Sequence, residues 1–188
     1  MMAHTAAVQA VMRYVLPIVS LLVTVLSLAS AATARAGETD CDELQLRVRL
    51  DEYLPTWCYY SYSTDGDARA RFEAMFVEGT TSYAMVVFAR AGSLTYLPRQ
   101  SLESLVIELL DESDQVSWRE GIGLEGYTVK RFATIENSGR ETNCVAFNRN
   151  DPAPNGRPRT RLYGYICHAG RGEIADDNLA TFIAAIDE

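Results

Sequence analysis

The chain has 188 residues, with 25 acidic and 17 basic side chains and a formal net charge of −8 at pH 7. An excess of negative charge disfavours nucleic acid and anionic lipid as general partners. Its length suits one domain with a substantial core, because no linker or internal repeat divides it.

Residues 1–36 have the organisation of a secretory signal peptide. Arg13 precedes an uncharged apolar run, and small residues follow from Ala29 to Ala36. Charged, apolar and small-residue regions in this order are typical of cleaved leaders. We predict cleavage after Ala34 or Ala36.

A retained membrane anchor is the alternative interpretation, since residues 14–34 are uncharged and a span needs about 20 apolar residues. The alanine-rich end without a basic stop favours removal. Residues 37–188 then form the mature domain, which keeps 15 basic and 25 acidic residues, a net charge of −10. We expect no stable membrane anchor on it, and a periplasmic or secreted location in a bacterium.

All four cysteines follow the leader, which favours disulfides formed in an oxidising compartment. Four cysteines allow three pairings. Asn155-Gly156 predicts a two-residue hairpin turn, which pairs positions whose numbers sum to 311. Cys144 and Cys167 satisfy that sum, so they are predicted to pair, and Cys41 then pairs with Cys58. Prolines near the turn must interrupt the ladder, because proline has no N–H donor.

Aromatic residues surround Cys58. In a strand, Cys58, Tyr60 and Tyr62 face one way, and Trp57 and Tyr59 face the other. The side chains on one face are expected in the core. Those on the other face fill a second core or form a surface that binds sugar rings or peptides.

Two alternating segments around Glu78-Gly79-Thr80-Thr81 predict a hairpin, although residues 68–77 also fit a short helix. Residues 127–135, the strand with Cys144 and the strand with Cys167 predict an antiparallel meander. Apolar residues at helical spacing predict two amphipathic helices, one capped by Ser101 and one beginning near Asp176; their apolar positions are Leu102, Leu105, Val106, Leu109, Leu110, Leu179, Phe182, Ile183 and Ile186. The predicted class is α+β, an antiparallel sheet covered by two helices and stapled by disulfides.

Three sequence motifs that resemble functional sites are better explained as structural features. Residues 121–126 match the G-x-G-x-x-G spacing but precede a strand-like segment, which favours a turn over a dinucleotide site. Asp65-Gly66-Asp67 lacks the remaining ligands of a calcium loop. His168, the one histidine beyond the leader, has no nucleophile motif near Ser61 or Ser63. We predict no cofactor, metal or catalytic residue.

Four arginines, Arg149, Arg157, Arg159 and Arg161, gather around the Asn155-Gly156 turn. Guanidinium groups bind carboxylates and phosphates through paired hydrogen bonds. The cluster is therefore a candidate contact for an envelope protein or an anionic ligand, although internal pairing with acidic residues explains it as well.

Residues 140–188, with a cysteine in each hairpin strand and a closing helix after Gly172-Glu173-Ile174, resemble uncharacterised secreted bacterial proteins that have a two-cysteine hairpin. This resemblance implies export and a disulfide but no activity.

The sequence thus favours an exported, non-catalytic binding or envelope-associated module. The alternative is a cofactor-free hydrolase of envelope material that uses carboxylates such as Glu120 or Glu125 near the glycine turn.

Overall fold

The computed structural model describes residues 36–63, 69–110, 115–135, 139, 141–152, 156–170 and 172–188. The predicted signal peptide and the Asp65-Gly66-Asp67 motif lie outside these residues, as does Asn155 of the hairpin turn.

Strands account for most of the described chain. They are β1 (Ala36–Glu38), β2 (Arg47–Val48), β3 (Leu54–Ser63), β4 (Ala70–Glu78), β5 (Ser82–Ala91), β6 (Gln115–Arg119), β7 (Thr128–Ile135), β8 (Glu141–Pro152), β9 (Pro158–His168) and β10 (Ile186–Asp187). The helices are α1 (Leu102–Ile107) and α2 (Asp176–Ala184), and Cys41–Glu43 form a 3-10 turn.

Eight strands form one antiparallel sheet in the order β1-β3-β4-β5-β9-β8-β7-β6. The other two, β2 and β10, pair as a separate antiparallel ribbon. The predicted hairpin is β4–β5, and the predicted meander is β7–β8–β9.

The prediction of an α+β class is wrong. The domain is mainly an antiparallel β-sheet with two short helices, of six and nine residues, that cover only parts of it. The first predicted helix ends at Ile107, before Leu109 and Leu110, and β6 adds a strand that the sequence pattern does not indicate. Residues 70–78 form a strand and not a helix.

Both disulfides join the predicted partners. Cys144 and Cys167 are directly opposed in β8 and β9, with Cα atoms 4.0 Å apart, and the strand register follows the predicted sum up to Asp151. The register shifts between Asp151 and Pro152, where a proline interrupts the ladder. Cys41 bonds to Cys58 and ties the 3-10 turn to β3.

The two faces of the sheet are covered differently. On the covered face, side chains of β3, β4, β5, β8 and β9 contact the segment 44–53 and α2, and form one large core that includes Leu46, Val77, Val86, Phe147, Ile166 and Phe182. On the opposite face, which we call the open face, α1 and the preceding loop cover only part of the sheet, over smaller clusters.

Two features fix the centre of the sheet. Glu73 is fully buried on the covered face, where its carboxylate accepts hydrogen bonds of 2.8 Å from the backbone N–H groups of Gln45 and Leu46 and pairs with Arg71. At Gly164 in β9, an added Cβ would lie 2.0 Å from the Met85 carbonyl oxygen, so β5 and β9 approach closely only because this residue is glycine. Among the described residues, no helix has the length and apolar character needed to cross a membrane.

Candidate functional site

Four half-buried aromatic residues lie together on the open face, and we call them the aromatic surface: Trp57, Tyr59, Phe76 and Tyr83. Trp57 and Tyr59 are stacked in β3, with ring centroids 5.7 Å apart and planes 15° apart. Trp57 is opposite Phe76 in β4, and the Phe76 and Tyr83 rings are also 5.7 Å apart. The prediction that Trp57 and Tyr59 face away from Cys58 is therefore correct, and their face lacks the cover that the other face has.

The aromatic surface continues into a cavity of about 400 Å³. The cavity is lined by Phe76, Tyr83, Leu109, Leu110, Thr134, Tyr165 and Cys167. Its volume falls in the range of small-molecule sites, roughly 300–1,000 Å³, and such sites are lined mostly by apolar and aromatic groups.

Helix α1 borders this cavity and is fixed at its first turn. The Ser101 side chain accepts a 3.2 Å hydrogen bond from the Ser104 N–H, as an N-cap residue does. Glu103 pairs with Lys130 of β7, and this contact lowers the pKa of the Glu103 carboxyl below its usual range. Because the helix stops at Ile107, Leu109 and Leu110 belong to the turn that follows it, where both line the cavity.

Tyr163 lies on the open face at the place where α1 shields the sheet from water. It packs with Val87 and Leu105 beneath α1. Burial, reinforced by the negative charge of Glu108 and opposed by Arg161, raises the pKa of Tyr163 to about 12. The aromatic surface, in contrast, is half-exposed and lies beyond the part of the sheet that α1 covers.

The predicted arginine cluster is divided by the sheet. Arg161 is 3% exposed and donates to Asn150 Oδ1 at 2.8 Å, to Gln100 Oε1 at 3.0 Å and to the Pro98 carbonyl oxygen at 2.6 Å. Burial lowers its pKa. Arg161 therefore holds the loop before α1 against the sheet and is not accessible to a partner.

The remaining arginines of the cluster have different environments. Arg149, opposite Leu162 on the covered face, donates to the Tyr127 hydroxyl at 2.9 Å and pairs with Glu188. Arg157 and Arg159 are exposed beside the turn. The structure thus keeps only two of the four predicted contact residues together at an accessible surface.

His168 lies on the covered face, in a second cavity of about 270 Å³ whose lining includes Tyr53, Ser82 and Glu173. Ser61 faces the opposite side of the sheet, and β3 is separated from β9 by two strands, a distance of about 14 Å at the usual strand spacing. Ser61 therefore cannot form a pair with His168, and the Ser63 side chain lies outside the described part of the structure.

Ser82 is directly opposite His168, but their geometry does not suit a nucleophile and base. His168 Nδ1 accepts a 3.1 Å hydrogen bond from the Gly170 N–H, which places the proton of the neutral ring on Nε2. A histidine base in a serine triad instead donates through one ring nitrogen and accepts from the serine with the other. The Ser82 hydroxyl is hydrogen-bonded to the Tyr53 hydroxyl, and burial raises the pKa of Tyr53.

The glycine motif of residues 121–126 connects β6 to β7 and does not begin a helix. An added Cβ at Gly121 would lie 1.7 Å from the Val129 carbonyl oxygen, so this glycine permits close approach of two backbone segments. Glu120 and Glu125 are both exposed, and neither lines one of the two cavities. Among the described residues, no group of three or more acidic, cysteine or histidine side chains is arranged to hold a metal ion.

Comparisons with protein-family models, with curated proteins and with solved structures found no match. The site must therefore be interpreted from its own geometry. Sequence analysis identified Trp57 and Tyr59 but missed Phe76, Tyr83 and the cavity. The hairpin turn at Gly79 could have indicated these two rings, because it places Phe76 and Tyr83 on neighbouring strands near the same end.

Proposed function

We propose that the protein is an exported, non-catalytic module of the bacterial envelope that binds a neutral glycan on the aromatic surface. The observation that carries this proposal is the row of half-exposed rings beside an open cavity, on the sheet face that α1 covers only in part. The two disulfides support export, because disulfides persist mainly in oxidising compartments.

The chemistry of the aromatic surface favours a sugar. Aromatic rings offer large apolar faces to the C–H faces of a pyranose, while their polar groups and neighbours bind hydroxyls. Here the Trp57 indole N–H donates to the Glu38 carboxylate at 3.0 Å. That carboxylate keeps further lone pairs for sugar hydroxyl groups at the edge of the ring.

The charge around the aromatic surface favours a neutral ligand over an anionic one. Glu38 and Glu78 lie next to the aromatic surface, on a chain that is acidic as a whole. An anionic ligand would be repelled there. A neutral oligosaccharide, such as the β-linked N-acetylhexosamine type found in bacterial walls, fits both the rings and the charge.

The dispersed polar groups support binding rather than catalysis. The hydrolase alternative requires two carboxylates on opposite sides of a cleft, about 5–9.5 Å apart. The Glu120 and Glu125 side chains project into solvent from the connection between β6 and β7. We therefore propose recognition without turnover.

Tryptophan fluorescence offers a direct test, because Trp57 and Trp118 are the two tryptophans of the chain. In a Trp118→Phe background, Trp57 reports on its own surroundings. We expect a saturable change in emission when soluble N-acetylglucosamine oligomers are added. Calorimetry should show that Trp57→Ala reduces the affinity roughly tenfold, the order of magnitude expected for an aromatic contact.

Trp118→Phe is the matched control, since Trp118 packs on Phe132 in β7, with ring centroids 4.9 Å apart and away from the aromatic surface. Its affinity should match that of the unchanged protein. Absence of binding to the oligomers, or binding that Trp57→Ala leaves intact, would refute the proposal. Release of reducing ends during incubation would instead establish turnover.

A further inference from the structure

The most exposed of the three large apolar side chains that project into solvent in the described chain lies on a loop that arginines hold in place. Leu94 is 92% exposed, at the tip of the loop that connects β5 to α1. Three exposed arginines and a half-buried tyrosine lie in this loop or in the neighbouring β8–β9 turn, and together with Leu94 they form what we call the basic loop surface: Leu94, Tyr96, Arg99, Arg157 and Arg159.

Contacts within the structure bring these residues together from distant parts of the sequence. Arg159 donates to the Ser93 carbonyl oxygen, and its guanidinium lies 5.8 Å from the Tyr96 ring centroid. Arg99 donates to the Gly156 carbonyl oxygen at 3.3 Å, which joins the loop to the β8–β9 turn. The Leu97 N–H donates to the Pro158 carbonyl oxygen at 2.9 Å and fixes the base of the loop. Leu94 is therefore presented on an anchored loop.

We propose that the basic loop surface docks the protein on an anionic membrane, with Leu94 inserted among the lipids and the arginines bound to phosphate groups. Basic residues beside exposed apolar residues are the combination by which peripheral proteins bind anionic bilayers. A soluble polyanion would use the arginines but would give an exposed leucine no apolar environment.

The acidic net charge does not prevent this, because many of the carboxylates in the described part of the chain lie far from the basic loop surface. The described carboxylates nearest the basic loop surface have contacts of their own: Asp151 lies 3.6 Å from Arg149, which also pairs with Glu188, Glu103 pairs with Lys130, and Glu108 accepts a hydrogen bond from Gln100. Glu52, Glu78 and Glu173 lie at the far end of β5, a strand of ten residues, or about 30 Å. That distance is several times the Debye length of about 8 Å at physiological ionic strength. The membrane therefore meets the local positive charge, contrary to the expectation from net charge that anionic lipid is disfavoured.

Vesicle flotation tests the proposal with mature protein purified after export of the full chain. The protein should float with vesicles of phosphatidylglycerol and phosphatidylcholine in equal parts, and should stay behind with phosphatidylcholine alone. High salt should release it. Leu94→Ser should weaken partitioning at least tenfold, and each of Arg99→Gln, Arg157→Gln and Arg159→Gln about fivefold.

Matched controls come from other regions of the chain. Leu54 is 67% exposed at the opposite end of the sheet, and the Arg49 side chain is 72% exposed beside Asp187. Leu54→Ser and Arg49→Gln should float like the unchanged protein. Failure of the unchanged protein to float would overturn the proposal. So would flotation that Leu94→Ser leaves unchanged while soluble polyphosphate competes, because a soluble polyanion would then be the partner.

Discussion

The two faces of the sheet differ in what covers them, and this difference separates the residues that hold the domain together from those available for binding. On the covered face, Phe182 of α2 and Leu46 of the segment 44–53 pack over the sheet and bury Phe147. The open face carries Trp57 and Tyr59 of the disulfide-anchored strand β3, and neither helix of the described residues lies over them. Residues of similar chemistry therefore have different roles, according to whether the chain returns over them.

The largest expected effect contrasts one aromatic residue from each face. Phe182 is 1% exposed, and its ring centroid lies 5.1 Å from that of Tyr53 and 6.3 Å from that of Phe147. Phe182→Ala should lower the free energy of unfolding by about 3–5 kcal/mol, because it leaves a cavity in the core. Trp57→Ala should cost only about 1 kcal/mol, as expected for a partly exposed residue. Denaturant unfolding with the disulfides intact measures both values. Equal losses would show that the open face is as much a part of the core as the covered one.

A smaller effect on stability is expected at high pH, from Tyr163 beneath α1. The folded-state pKa of Tyr163 is raised to about 12 from the ordinary 10, so its neutral form is favoured in the folded protein. The stability from this group is complete below pH 10 and is lost as the pH rises from 10 to 12, by at most roughly 2.7 kcal/mol.

Tyr163→Phe removes the titrating hydroxyl and should flatten the fall in stability across this pH range. The comparison requires unfolding curves for both proteins at several pH values, so that titration of the other tyrosines cancels. Parallel curves would contradict the burial that separates Tyr163 from the aromatic surface.

The smallest expected effect on stability concerns the N-terminus of α1, the helix that covers part of the open face. Ser101→Ala removes the N-cap of α1 and should destabilise the domain by about 1 kcal/mol. Ser101→Asn should restore most of this loss, since asparagine also caps helices. Thermal unfolding of the three proteins measures the effect. If alanine and serine are equivalent, the helix is held by Lys130 and its buried leucines alone.

Local turn signals allowed much of the fold to be predicted from the sequence. Asn155-Gly156 fixed the hairpin register and, with it, the Cys144–Cys167 pair. The last helix was predicted because its apolar positions recur every three or four residues after Asp176, but Ile186, which continues this spacing, lies in β10 and not in the helix. Both signals lie within a short stretch of chain, where spacing alone determines geometry.

The fold class was wrong because apolar spacing reports burial and not helix length. Leu109 and Leu110 continue the pattern of α1 but belong to the turn after it, where they line the cavity. The short strands β1, β2 and β10 contain two or three residues each, too few for a pattern. They form because distant backbone groups supply their partners.

The separation of the four clustered arginines between the two faces follows from the sequence pattern. The same register that predicts the disulfide places Arg149 opposite Leu162, so that Arg149 and Arg161 face opposite sides. Strand alternation is therefore sufficient to divide the cluster between the two faces of the sheet. The meeting of Arg99 and Arg159 at the Leu94 loop could not be predicted, because it depends on how the β5–α1 connection folds back on the β8–β9 turn.

The pairing of β10 with β2 has a consequence for biogenesis. Ile186 and Asp187 hydrogen-bond to a segment that begins at Arg47, and the Arg49 N–H donates to the Ala185 carbonyl oxygen at 2.8 Å. The covered core thus closes only when β10 reaches a segment that lies well over a hundred positions before it. A polypeptide emerging vectorially from a ribosome or a translocation channel cannot complete this domain until Asp187 has emerged.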